Sequence, residues 1–167
     1  MPFHSATLPG VDLIEERLSE LGETLPAPIA APPGVALRLE FVTAVGSLAY
    51  LSGHGPANGP RRLARGKVGA DLTVEEGRAA ARQCALAALA SLKREFGELT
   101  RVRRWIKVTG YVNCVPGFEQ TPAVVNGFSD LIYDLWGDAG RHARSAIGVC
   151  ALPFAVPVEV EAVVELA

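Results

Sequence analysis

Residues 141–166 read RHARSAIGVCALPFAVPVEVEAVVEL, and the pattern in this stretch decides the fold. From Val156 to Leu166, the apolar Val158, Val160, Ala162, Val164 and Leu166 alternate with Glu159, Glu161 and Glu165. A period of two is that of a strand with one buried face. Arg144–Ala151 reads as a second strand, and Pro153 falls in the connection, where a missing amide does no harm.

Moving toward the N-terminus, residues 119–136 read as a helix with Val124, Phe128, Leu131 and Leu135 on one face and Gly137 to close it. Residues 101–114 alternate as a strand. Arg101, Arg103, Trp105 and Lys107 are expected to face one way, and Val102, Ile106 and Val108 the other. Asp71-Leu72-Thr73 opens a long helix that Gly97 ends, with Thr73 and Glu76 at capping-box spacing. Its apolar face is rich in alanine (Ala81, Ala85, Ala88), which predicts close packing on a sheet. Residues 61–69 form a weak strand candidate. Two further strands, 36–45 and 48–52, flank a Gly46-Ser47 turn, and Ser52-Gly53-His54-Gly55-Pro56 breaks the second. Residues 11–22 form a short amphipathic helix, followed by a stiff linker from Pro26 to Gly34.

Residues 1–34 are therefore expected to be an appendage on a domain spanning 35–167. Runs of strands with two long helices predict an α+β fold, with both helices on one face of a mixed sheet. The other face then needs a cover, which predicts an oligomer.

Composition narrows the function. A chain of 167 residues, nearly half apolar and one fifth charged, fits one globular domain. A net charge of −2 disfavours binding built mainly on phosphate contacts. Cys84, Cys114 and Cys150 form no CxxC motif and read as buried apolar residues in a reducing compartment. His4, His54 and His142 share no ligand spacing, so neither a metal nor a cofactor is called for. The N-terminus lacks the basic and apolar regions of a signal peptide, and the longest apolar stretch, 149–158, holds two prolines and is too short to span a bilayer. A cytoplasmic protein without a membrane partner is expected.

The segments Arg141-His142-Ala143-Arg144-Ser145-Ala146-Ile147-Gly148-Val149, Leu152-Pro153 and Val158-Glu159-Val160-Glu161-Ala162 resemble the C-terminal signature of the RidA (YjgF, endoribonuclease L-PSP-like) family. Leu51-Ser52-Gly53, the helix over 72–97 and the run from Val108 through Asn126 fit in order. With Gly66-Lys67-Val68-Gly69, the chain is similar to a longer subgroup with an N-terminal extension. The resemblance implies a chorismate-mutase-like fold, a homotrimer around a central β-barrel, and ligand sites in clefts between subunits. It also implies hydrolysis of reactive 2-imino or enamino acids to 2-keto acids and ammonia.

By the same resemblance, Arg144 matches the arginine that grips the substrate carboxylate, a role that suits a rigid guanidinium fork. Glu159 matches the acid that activates water near C2. Gly53 and Ala146 match positions whose amides face the ligand, Asn126 matches an asparagine reaching the site, and Ser52 and Ser145 can add hydroxyl contacts. Ala146 stands where the family often has cysteine. Leu39 stands where it commonly has an aromatic residue, with Phe41 nearby, so substrate preference is expected to differ. Two alternatives stay open: a non-catalytic carboxylate-binding or regulatory trimer, and an RNA-binding protein using Arg101, Arg103, Trp105 and Lys107 as a basic stacking platform.

Overall fold

The computed structural model describes residues 12–167; the readings that rest on Met1–Val11 lie outside the described residues. The elements run α1 (Leu13–Glu20), β1 (Val42–Val45), β2 (Leu48–His54), β3 (Ala57–Asn58), β4 (Arg61–Arg62), α2 (Val74–Phe96), β5 (Val102–Asn113), α3 (Thr121–Trp136), β6 (Ala143–Val149) and β7 (Val158–Leu166). Five strands form one mixed sheet in the order β1-β2-β7-β5-β6, and β3 pairs with β4 in a separate two-stranded hairpin. β5 and β6 are parallel, joined by α3 as the crossover that parallel pairing requires. The other pairings in the sheet are antiparallel.

The alternation in β7 is realised as expected. Val158, Val160, Ala162 and Val164 are buried beneath α2 and α3, while the glutamates face the open side. Thr73 caps α2: its hydroxyl accepts from the Glu76 amide at 3.2 Å, and the Glu76 carboxylate accepts from the Thr73 amide at 2.8 Å. Gly97 ends the helix at φ 83°, a conformation that costs glycine little. The two long helices touch at Gly127, where a Cβ would stand 2.8 Å from the carbonyl carbon of Arg78. No helix among the described residues is long and apolar enough to cross a membrane.

Several expected elements change. The strand expected over 36–45 starts only at Val42. Its ladder with β2 runs from Val45↔Leu48 to Val42↔Leu51, and beyond it Ser52 holds the chain, its amide donating to the Phe41 carbonyl at 3.0 Å and its hydroxyl to the Glu40 carbonyl. The 61–69 candidate shrinks to Arg61–Arg62. The stripe expected on β5 is broken. Register shifts against β7 fall between Val102 and Arg104 and between Trp105 and Lys107. An extra residue in one strand reverses the facing of the residues beyond it. Trp105 is therefore fully buried, edge-on to Phe128 and Trp136 at centroid distances of 5.7 and 5.6 Å, and Ile106 is the exposed residue. The basic stacking platform does not form, since its aromatic member lies in the core. Cys84 and Cys114 are buried as expected, but Cys150 is exposed just beyond the end of β6.

From Asp12 onward, the N-terminal segment is tied to the rest at two places. Ile14 and Leu18 of α1 enter the core. Asp12 caps α1 by accepting from the Ile14 amide at 2.9 Å, and its other carboxylate oxygen accepts from the Leu99 amide. Further on, the linker grips the β3–β4 hairpin. The Ala27 amide donates to Asn58 Oδ1 at 2.9 Å, the Gly59 amide to the Ala27 carbonyl at 2.9 Å, and the Ala30 amide to the Gly59 carbonyl at 3.1 Å.

Candidate functional site

Arg144 lies near the start of the edge strand β6, paired with Val108, and its side chain reaches toward α3. Its Nη1 donates to Asn126 Oδ1 at 2.9 Å and to Ser129 Oγ at 3.0 Å, and Nη2 approaches the Pro122 carbonyl at 3.4 Å. A guanidinium held at two points has a fixed orientation and still keeps donors for a ligand. A relay supports it from behind. His142 Nδ1–H donates to the Gly140 carbonyl at 2.7 Å, which leaves Nε2 as the acceptor for the Ser129 hydroxyl at 3.0 Å. That chain requires a neutral imidazole. Burial, followed by the nearby Arg144 and Lys107 charges, holds the His142 pKa below its ordinary value, against the opposing Gly140 bond.

Glu159 belongs to a second cluster, on the open face of the sheet. It lines a cavity of about 150 Å³ with Gly53, Arg62, Phe154, Leu37, Leu39 and Phe41 among its walls. Gly53 gives the Glu159 carboxyl its place: a Cβ there would stand 2.7 Å from Glu159 Cδ, so a larger residue would displace that side chain. Burial first, then the neighbouring Glu161 charge, pushes the Glu159 carboxyl above the usual carboxylate range, with Arg62 opposing. A half-buried carboxyl of this kind can exchange protons with water.

The structure thus sorts the expected residues into two groups. Arg144, Asn126 and Ala146 cluster where β6 meets α3. Gly53 and Glu159 cluster on the far side of the sheet, with Ser52 next to Gly53. Arg144 shares a row with Val108 and Ala162, whereas Glu159 shares one with Tyr111 and Ile147. Two strand spacings and three residues along the strand separate them by about 14 Å between Cα atoms, on opposite faces. One small molecule cannot touch both within a single chain. Ser52 Oγ donates to the Glu40 carbonyl at 2.6 Å and Ser145 Oγ receives Lys107 Nζ at 2.8 Å, so each hydroxyl already has an intrachain partner. The Ala146 carbonyl accepts from Thr121 Oγ1 at 3.1 Å, and as part of an edge strand β6 has alternate amides without a strand partner.

Four residues were not picked out from the sequence: Ser129 and His142 behind Arg144, and Arg62 and Phe154 beside Glu159. The i, i+3 spacing of Asn126 and Ser129, one turn of α3 facing Arg144, was the available signal for Ser129. Nothing local marked Arg62, because its neighbour Phe154 comes from 92 positions further along the chain.

An anchored arginine on one face and a carboxyl in an apolar cavity on the other define an α+β protein with a candidate site for a small anion. A sequence model described as "YjgF/chorismate mutase-like, putative endoribonuclease" matches residues 15–166. The chain belongs to that YjgF (RidA) family. It is 43% identical to Protein TCP17 of Trypanosoma cruzi over 154 residues, covering 92% of this chain and 94% of that protein. Among solved structures it is similar to the protein Atu1372 of Agrobacterium tumefaciens, whose function is described as unknown, at 40% identity and a TM-score of 0.83, over 93% of this chain and 92% of that one. It is also similar to a Shewanella oneidensis protein described as a "putative endoribonuclease", at 35% identity and a TM-score of 0.83, over 92% and 99% of the two chains.

Proposed function

We propose that this protein hydrolyses reactive 2-imino or enamino acids to 2-keto acids and ammonia, in sites completed between copies of a homotrimer. Arg144 and the Gly53 and Ala146 amides take the substrate carboxylate. Glu159 accepts a proton from water as its oxygen adds to C2. Glu159 returns that proton to nitrogen, so the C=N bond becomes a C–N single bond in a carbinolamine; Glu159 then carries the hydroxyl proton to the amine as the C–N bond breaks, so that ammonia leaves and the C=O bond forms. The observation that carries the hydrolytic reading is Glu159 itself, a carboxyl with a raised pKa packed against a glycine whose missing Cβ leaves it its position. The placement of Arg144 and Glu159 on opposite faces supports a shared site, in which one copy supplies Arg144 and Ala146 and its neighbour supplies Gly53 and Glu159. The exposed apolar Val45, Tyr50 and Ile147 support burial of the open face against other copies.

The test is turnover. An amino-acid oxidase generates the imine in the presence of semicarbazide as a trap, and the protein is scored by how fast it removes the imine. Loss of trapped imine in wild type, abolished in Glu159→Gln and Arg144→Ala, supports the reading. No acceleration over buffer, with 2-keto acid binding intact, would instead identify a carboxylate-binding protein without catalysis.

A further inference from the structure

We infer that Arg62 is a specificity-determining residue that receives a second carboxylate, so that the preferred substrates are 2-imino dicarboxylates. The inference rests on the hydrolytic reading above and adds the identity of the substrate side chain.

The cavity beside Glu159 is walled by Ile29, Leu37, Leu39, Phe41 and Val156, and of its lining side chains only Arg62 and Glu159 carry charge. Among the described residues Arg62 has no carboxylate partner. Its hydrogen bond there is Nη1 to the Pro60 carbonyl at 3.4 Å, and no salt bridge joins it to Glu159. The guanidinium instead lies over the Phe154 ring, 4.8 Å from the centroid. Stacking holds its plane while leaving the in-plane N–H donors for an acceptor.

The placement is built by several parts of the chain. Phe154 and Ala155 adopt φ of 57° and 55° in succession, which side chains with a Cβ rarely do. The turn is held by the Ala155 amide donating to the Leu152 carbonyl at 3.1 Å and the Gly66 amide donating to the Ala155 carbonyl at 2.8 Å. Arg62 sits on a hairpin with two residues per strand, too short to persist alone. The linker bonds from Ala27 and Ala30 hold that hairpin in place.

With C2 beside Glu159, a substrate side chain extends into this cavity and ends near Arg62. About 150 Å³ admits roughly five non-hydrogen atoms at ~30 Å³ each. A carboxymethyl or carboxyethyl group fits that volume, places methylenes on the apolar wall and offers two oxygens to the guanidinium. The same positive charge offsets repulsion between the incoming carboxylate and Glu159. A neutral side chain of equal size would leave Arg62 desolvated and unpaired, which penalises it.

The experiment compares 2-iminosuccinate and 2-iminoglutarate, made in situ by oxidases acting on aspartate and glutamate, with 2-iminobutyrate and the imine of leucine. Wild type should show the higher kcat/KM on the dicarboxylates. Arg62→Gln should lower the ratio of dicarboxylate to monocarboxylate kcat/KM by about 10- to 100-fold, mostly through KM, and Arg62→Lys should restore part of it. A wild type without preference, or an Arg62→Gln variant that slows both classes equally, overturns the inference. If wild type hydrolyses none of these imines, the hydrolytic reading fails separately. Calorimetry with 2-oxoglutarate and 2-oxobutyrate then decides the Arg62 question: tighter 2-oxoglutarate binding that Arg62→Gln removes supports it, and equal binding rejects it.

Discussion

Replacing Gly53 by alanine should separate activity from stability. The new Cβ would stand 2.7 Å from Glu159 Cδ and 3.0 Å from its Cγ, against the ~3.5–4.0 Å at which carbon atoms rest. Gly53 has no positive φ, so its backbone accepts alanine without strain. The collision is with the end of a flexible side chain, which can retreat by about 1 Å into a poorer rotamer at a cost of ~0.5–1.5 kcal/mol. Alanine also reduces the freedom of the unfolded chain, returning about 0.5–1 kcal/mol. The net change in unfolding free energy should stay within about 1 kcal/mol. Catalysis should suffer far more, because a 1 Å misplacement of a reacting group costs on the order of 100-fold. Urea unfolding and imine turnover, measured on the same preparation, check both halves. Wild-type turnover in a stably folded Gly53→Ala protein would refute the assignment of Glu159, since the substitution cannot leave that carboxyl where it is.

Gly127→Ala should do the reverse. Its Cβ meets the backbone of Arg78, which cannot swing aside, so α2 and α3 must part and stability should fall by about 2 kcal/mol in chemical unfolding; a change below ~0.5 kcal/mol would contradict the packing. His54 should make stability depend on pH. It is buried, with Nδ1 2.7 Å from the Ser52 carbonyl and Nε2 2.9 Å from Ser91 Oγ, and burial lowers its pKa to about 4 from 6.5. Between those values the unfolded chain binds the extra proton, so this contribution is intact above pH 6.5 and declines as pH falls toward 4, by up to about 3 kcal/mol. Unfolding curves of wild type and His54→Gln across that range should differ by this slope, and parallel curves would exclude it.

The elements that local chemistry specifies were legible before the structure. The Thr73–Glu76 cap, the Gly97 stop and the valine–glutamate alternation of β7 each depend on residues within a few positions of one another. Trp105 was misplaced because its facing depends on two irregularities in the pairing with β7, and such bulges follow from tertiary packing rather than local pattern. The start of β1 was misplaced for a related reason: before Val42 the chain is held to Ser52 through the Phe41 and Glu40 carbonyls instead of by a continued ladder, a detail no local pattern records. In the site, Arg144, Asn126, Gly53 and Glu159 stood out by resemblance. Arg62 did not, because stacking on Phe154 requires a left-handed turn at non-glycine residues, which no propensity favours.

The linker bonds to the β3–β4 hairpin carry a consequence for how such a protein diversifies. Through Asn58 and Gly59, Ala27 and Ala30 steady the platform on which Arg62 rides. Under the proposal that Arg62 receives the second carboxylate, selectivity then rests partly on a strap outside the core. A few changes in that strap could then retune which side chains are accepted while the hydrophobic core and Glu159 stay as they are. Cleavage or loosening of that strap should blur discrimination among ligands well before the sheet and its two helices come apart.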